Sequence, residues 1–252
     1  MTQRPFKDHF SASAAEYATF RPKYPAALFE FVASLVPRRH AVWDCATGSG
    51  QAAVPLAEYF ERVIATDASG EQIAHATPHP RISYSVALAD ASGIDTASVD
   101  LVTAAQALHW FPLERFVAEV RRVLMPGGVL AVWCYQTPLL GGVLDDILER
   151  YYAGECGPYW PPERSLVETG YQSLDMPFAD VPTPPLDIEL RLTLDEFAGY
   201  VRTWSATRKL AAAVGYDPVV SVEDQLRPHW GTDDRLVRWP IQVRAGHVGC
   251  AD

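Results

Sequence analysis

The chain has 252 residues, 48% hydrophobic and 21% charged, with 21 basic against 31 acidic side chains and a formal net charge of -10. This is enough for one sizeable core. No run approaches the roughly 18–20 apolar residues of a membrane span, and the opening MTQRPFKDHF has no apolar centre for a secretory signal. An acidic chain has no general attraction for a phosphate backbone, so the expectation is a soluble, cytoplasmic protein without nucleic-acid or membrane partners. Cys45, Cys134, Cys156 and Cys250 are widely spaced, with no CxxC pair, and read as buried thiols in a reducing compartment. No metal site is expected. His75 and His79 have i, i+4 spacing, but Pro78 and Pro80 interrupt the helix which that spacing needs.

In chain order, an aromatic N-terminal segment to about Pro25 precedes any strand. Short apolar runs then alternate with helical patterns to about Tyr135, as in stacked βα units around a parallel sheet. The expected strands are Ala41–Cys45, Val63–Thr66, Ile82–Val86, Val99–Ala104 and Val129–Trp133. Their runs are continuous, which suits strands covered on both faces. A helix is expected over Gln51–Phe60. Another spans Leu113–Leu124, where Leu113, Phe116, Val117, Val120, Val123 and Leu124 make one apolar face. Pro112 suits its first turn, and Gly127-Gly128 is expected to end it. Arg121-Arg122 falls on its polar face and needs no partner. Residues 137–186 are rich in proline and aromatics and read as an insertion or lid. A strand at Asp187–Leu192, a helix from Leu194 to about Leu210 and a closing strand near Arg238–Val243 follow.

The most informative segment is Val42-Trp-Asp-Cys-Ala-Thr-Gly-Ser-Gly50, between a strand and a helix. Gly48 and Gly50 there allow a tight turn and close backbone approach by a ligand. Asp67 ends the next strand, about 20 residues on, where a carboxylate accepts from the ribose hydroxyls of an adenosine. Gly48 to Ala53 also satisfies the G-x-G-x-x-A form of the dinucleotide fingerprint. That keeps an NAD(P)-dependent oxidoreductase among the readings. Asp44 argues against it, because it ends the first strand where a pyrophosphate would sit, and no Lys or Arg lies between Ala41 and Glu61. The same carboxylate attracts an ammonium. S-adenosylmethionine offers an ammonium, a sulfonium and a ribose, and no phosphate.

With these residues in view, the chain resembles the class I S-adenosylmethionine-dependent methyltransferases. VWDCATGSG is similar to their first motif, VIATDAS to the ribose-binding strand end, LADASGIDTASVDLV to the adenine loop and fourth strand, and LMPGG to the turn before the fifth. Ala46 stands where the family's first loop glycine would be. Tyr17-x-x-x-Arg-Pro-x-Tyr-Pro25, Gln106-Ala-Leu-His-Trp-Phe111 and Arg202-Thr-Trp-Ser205 resemble the branch that includes trans-aconitate methyltransferases and related small-molecule, secondary-metabolism enzymes (methyltransferase type 11).

The resemblance implies an α/β fold: a Rossmann-like, doubly wound, mostly parallel seven-stranded sheet with an aromatic, helical cap. It divides one domain into N-terminal lid helices (1–36), a donor-binding core (37–136), the cap (137–186) and a C-terminal part completing sheet and acceptor pocket (187–252). The donor would be S-adenosylmethionine, leaving as S-adenosylhomocysteine, and would meet Tyr17, Arg21, Asp44, Ala46, Gly48, Gly50, Asp67, Ala68, Ala89, Asp90 and Gln106. Asp90 would accept from the adenine amine, or is a solvated loop residue. The acceptor would be a small molecule, methylated in line on a carboxylate or hydroxyl oxygen, or next on nitrogen, among Tyr24, His109, Trp110, Tyr135 and Trp204. His109 is either a general base or an orienting residue; Tyr24, Tyr135 and Trp204 either line the pocket or pack the core. Monomer and homodimer both remain open. A non-catalytic S-adenosylmethionine-binding protein is the other alternative.

Overall fold

The computed structural model describes residues 22–249. The apolar runs form seven strands of one sheet: β1 (Ala41–Cys45), β2 (Arg62–Asp67), β3 (Ile82–Val86), β4 (Val99–Ala105), β5 (Leu124–Tyr135), β6 (Leu186–Leu192) and β7 (Arg235–His247). Their order is β3-β2-β1-β4-β5-β7-β6. All neighbours are parallel except β7, which runs antiparallel to both β5 and β6. From β1 the chain builds outward through β2 to β3, then returns to place β4 on the other side. The carboxyl ends of β1 and β4 therefore flank the switch point where open α/β sheets bind ligands.

Alternation along each central strand splits the core in two. Val42, Leu101, Ala131 and Trp133 face one apolar cluster, and Trp43, Val102, Leu130 and Val132 the other. Helix α1 (Ala26–Ser34) covers the first face through Leu28, Phe29, Val32 and Ala33, joined by α2 (Ala53–Leu56). The described part of the expected N-terminal lid is thus a core helix. A short helix α3 (Gly70–Ala74) follows β2. On the second face α4 (Leu113–Val123) inserts Phe116, Val120 and Val123. Cys45, Cys134 and Cys156 are buried free thiols; Cys250 lies outside the described residues.

Three local expectations need correction. Gly127-Gly128 does not end α4, which stops at Val123 because Leu124 is already extended (φ -67°, ψ 138°) and starts β5. The glycines lie inside that strand, where its register against β4 slips between the Val99–Leu124 and Leu101–Val129 pairs. Arg122 does have a partner: it donates to Glu119 at 2.8 and 2.7 Å. Those bonds, with the backbone and side chain of Ser92, hold the Glu119 carboxyl down at about 2. The late helix is two, α7 (Leu194–Arg202) and α8 (Ser205–Val214), parted where the Thr203 hydroxyl donates to the Tyr200 carbonyl and Trp204 turns extended.

Residues 137–186 are helical in part, despite their prolines. They hold α5 (Val143–Glu149), continued as a widened turn over Arg150–Glu155, and α6 (Arg164–Glu168). Helix α9 (Val219–Trp230) was not foreseen, and its Pro228 lies near its end. Among the described residues no helix is long and apolar enough to cross a membrane.

Candidate active site

The loop leaving β1 is shaped by backbone conformations that L side chains rarely adopt. Gly48 (φ 56°) and Gly50 (φ 90°) are left-handed, and a Cβ on Gly50 would strike the Tyr84 hydroxyl. Ala46 also stands at φ 55°, at a strain of about 1–2 kcal/mol for a residue with a Cβ. The loop is tied to β2 at two levels. The Thr47 amide donates to the Thr66 carbonyl at 2.9 Å, and the Gly48 amide to Asp67 Oδ2 at 2.9 Å. Asp67 Oδ1 takes the Ser69 amide at 2.8 Å, so this carboxylate sets the loop and the entry of α3 together.

Asp44 is 1% exposed at the end of β1. It accepts from the hydroxyls of Thr47 at 2.6 Å and Thr103 at 2.8 Å. Burial outweighs these bonds and pushes its pKa up to about 6. A cation placed beside it would offset that desolvation. The left-handed glycine loop and the buried acid fit a donor that carries ammonium, sulfonium and ribose without phosphate.

Gln106 follows β4 in a left-handed conformation (φ 53°). Its amide donates to the Trp133 carbonyl at 2.8 Å and its Oε1 accepts from the Tyr135 amide at 2.9 Å, which pins it between the two strand ends. Ala68 and Ala89 are half-buried beside Asp67 and Asp90. Asp90 is ion-paired with Arg115 at 2.5 Å and is not a solvated loop residue. Tyr17 and Arg21 lie outside the described residues.

A cavity opens at the same sheet edge. Gln106, His109, Trp110 and Tyr135 line it from the strand ends, and Trp204 from the α7–α8 junction. Tyr24 is not among its lining residues. That ring packs edge-on to Trp133 (5.8 Å) and Phe29 (6.3 Å) and makes a tilted contact with Tyr135 (6.3 Å).

Trp160 and Arg164 from the cap, and Tyr200 and Arg208 from α7 and α8, also line the cavity and were missed in the sequence. Tyr200, Trp204 and Arg208 are four apart, and that period was legible. Arg164 lies over the Trp160 ring at 4.9 Å and donates to the Tyr152 hydroxyl at 2.7 Å. Among the described residues no Asp or Glu lines this cavity, in a chain with 31 of them.

Known proteins share this fold. Residues 43–132 match the family described as methyltransferase domain. A Dictyostelium discoideum protein assigned as a methyltransferase is 30% identical over 237 residues, 92% of this chain and 90% of that one. A Saccharomyces cerevisiae protein assigned as an S-adenosylmethionine-dependent methyltransferase is 32% identical over 134 residues, 50% of this chain and 46% of that one. The solved structure of an Anaeromyxobacter dehalogenans protein, assigned as a type II methyltransferase, is 45% identical and superposes with a TM-score of 0.87, covering 92% of this chain and 100% of that one. The sheet order and the glycine loop define a Rossmann-like methyltransferase fold, and the chain belongs to the methyltransferase family. The family implies S-adenosylmethionine as the methyl donor.

Proposed function

We propose that the protein methylates a small molecule on oxygen, a carboxylate before a hydroxyl, with nitrogen acceptors next. The observation that carries this reading is the charge of the cavity. It holds two guanidinium groups, Arg164 and Arg208, and no carboxylate among its lining residues, although the chain carries a net charge of -10. Arginine is the side chain best shaped for a carboxylate. The flat walls of Trp110, Trp160, Tyr200 and Trp204 suit an acceptor with a planar or apolar body.

S-adenosylmethionine, when bound, supplies an electrophilic methyl group on a sulfonium. The work left to this chain is placement. Gly48 and Gly50 let the ligand approach the backbone, Asp44 receives the ammonium end and Asp67 the ribose hydroxyls. The amides of Gly48 and Ser69 hold the Asp67 carboxylate in place, one on each oxygen. Gln106, held by both strand ends, borders donor site and cavity alike. Aromatic side chains exclude water, which strengthens the attraction between an anionic acceptor and the arginines.

The test is a panel of small carboxylic acids, phenols and amines incubated with radiolabelled donor. The reading expects label in base-labile esters from acids, and acceptor KM raised about tenfold in Arg164→Met, as one charge-assisted bond is worth. Label confined to amines, or no product from any acid or phenol, would contradict it.

A further inference from the structure

The imidazole in the cavity can be given a protonation state and thus a role. Behind His109 lies Tyr171, whose ring is fully buried and stacks near-parallel on the imidazole at 6.1 Å. The Tyr171 hydroxyl is 2.9 Å from His109 Nδ1. Among the described residues, Nδ1 is the one hydrogen-bond partner of this fully buried hydroxyl. A phenol has one proton and two lone pairs. A proton buried without an acceptor costs more than an unused lone pair, so the phenol proton goes to Nδ1, and a neutral imidazole then carries its own on Nε2.

The surroundings keep the ring neutral. The charged and titratable groups around it among the described residues are Arg164 from α6, Tyr171 after α6, Cys134 from β5 behind Tyr171, and, in the shared cavity, Tyr135 from β5, Tyr200 from α7 and Arg208 from α8. Burial first, then Arg164, hold the His109 pKa down at about 3. Burial pushes the Cys134 thiol up to about 12 and the Tyr171 phenol further from ionisation, so neither supplies a negative charge. Tyr171 is itself held firmly. It stands at φ 62°, a strained conformation for a bulky residue. Its carbonyl accepts from Arg244 at 2.8 Å, and Arg244 also grips the Leu174 carbonyl at 2.7 Å and Asp180.

We propose that Tyr171 locks His109 as the Nε2–H tautomer, so that His109 serves the acceptor as a hydrogen-bond donor and not as a general base. Tyr171 is the positioning residue. This deepens the acceptor reading given above, and rests on it for what His109 touches, though not for the tautomer. A cavity with no competent base among the described residues takes an acceptor already ionised. For a carboxylate the step balances: its oxygen gains the bond to the methyl carbon, the carbon–sulfur pair stays on sulfur, and no proton needs removing.

Long-range ¹H–¹⁵N correlation spectra of the ring-labelled full chain test the tautomer directly. The expected pattern is Nε2–H, unchanged from pH 8 to 5 and lost to a tautomer mixture in Tyr171→Phe. An Nδ1–H pattern, or a His109 titration between pH 6 and 7, overturns the proposal. Kinetics supply the second arm, with a carboxylic acid that turns over. His109→Ala should lower kcat/KM about tenfold, the loss of one hydrogen bond to a charged group, and His109→Gln, whose amide still donates, should restore most of it. A Gln variant as poor as Ala, or an ascending limb near neutrality that disappears in Gln, contradicts the donor role. If the tautomer is Nε2–H but no acid is methylated, the acceptor reading falls and the tautomer assignment stands.

Discussion

Between Asp44 and Asp67 the site is made of backbone: left-handed loop residues, amides and two carboxylates, all within 24 consecutive positions. Between Thr137 and Arg208 it is made of side chains, with tryptophan, tyrosine and arginine brought together from the β5 end, the cap and two helices. The donor edge follows from strand order and a short motif, because a common ligand needs the same close approach wherever it binds. The acceptor cavity depends on how distant segments pack, and its chemistry can change while the sheet stays fixed. The two halves meet at Gln106, whose strained backbone spans β4 and β5.

If the division is real, variants on the two sides should separate cleanly. The largest effect is expected for Asp67→Ala. It deletes the acceptor of the Gly48 and Ser69 amides along with the ribose contact, and S-adenosylhomocysteine affinity should fall about 100-fold, roughly two hydrogen bonds to a charged group. Unchanged affinity by calorimetry would refute the ribose assignment. Arg164→Met should do the reverse, leaving S-adenosylhomocysteine affinity alone while raising acceptor KM about tenfold. Loss of affinity for both ligands would erase the distinction between the halves.

Asp44 gives a pH signature. Its folded pKa, raised from 3.8 to about 6, means the stability tied to its protonated form is fully present below about pH 4 and lost as pH rises through about 6. A cationic ligand prefers the ionised carboxylate, so S-adenosylmethionine affinity should rise through the same interval, roughly tenfold from pH 5 to 7. Asp44→Asn should flatten both curves and weaken binding at pH 7; a slope that survives the substitution assigns the titration elsewhere. The smallest effect concerns Ala46. Glycine there relieves the left-handed strain and should stabilise the protein by about 1 kcal/mol in denaturant titrations, without changing acceptor KM.

The same contrast explains what was legible in the sequence. Strands β1 to β4 were found within a residue: β1, β2 and β4 because each is a short, largely buried apolar run, and β3 although it is an edge strand with no buried position. The start of β5 was missed, since a proline and two glycines normally end elements and here they sit in a strand whose pairing slips. The helix break at Thr203–Trp204 leaves no signal in apolar periodicity; a threonine bonding to a carbonyl three residues back is invisible there. Asp44, Asp67 and Gln106 could be placed because they end strands. Trp110, Tyr135 and Trp204 were identified, but Arg164 and Tyr171 were not: Tyr171 meets His109 and Arg244 across 62 and 73 positions of chain, and Arg164 joins a cavity whose other walls come from distant segments. Tyr24 was drawn to the pocket by its company of charged and aromatic neighbours, yet its ring joins the core.

The central claim is that the edge formed by Asp44, the glycine loop and Asp67 binds an adenosyl amino acid and not a dinucleotide. Calorimetric titration of the full chain with S-adenosylhomocysteine, with NADH in parallel, tests it most directly. Micromolar binding of the first and none of the second is the predicted result. Tight NADH binding with no response to S-adenosylhomocysteine would contradict the account, since a buried carboxylate at the end of β1 would then be sitting beside a pyrophosphate.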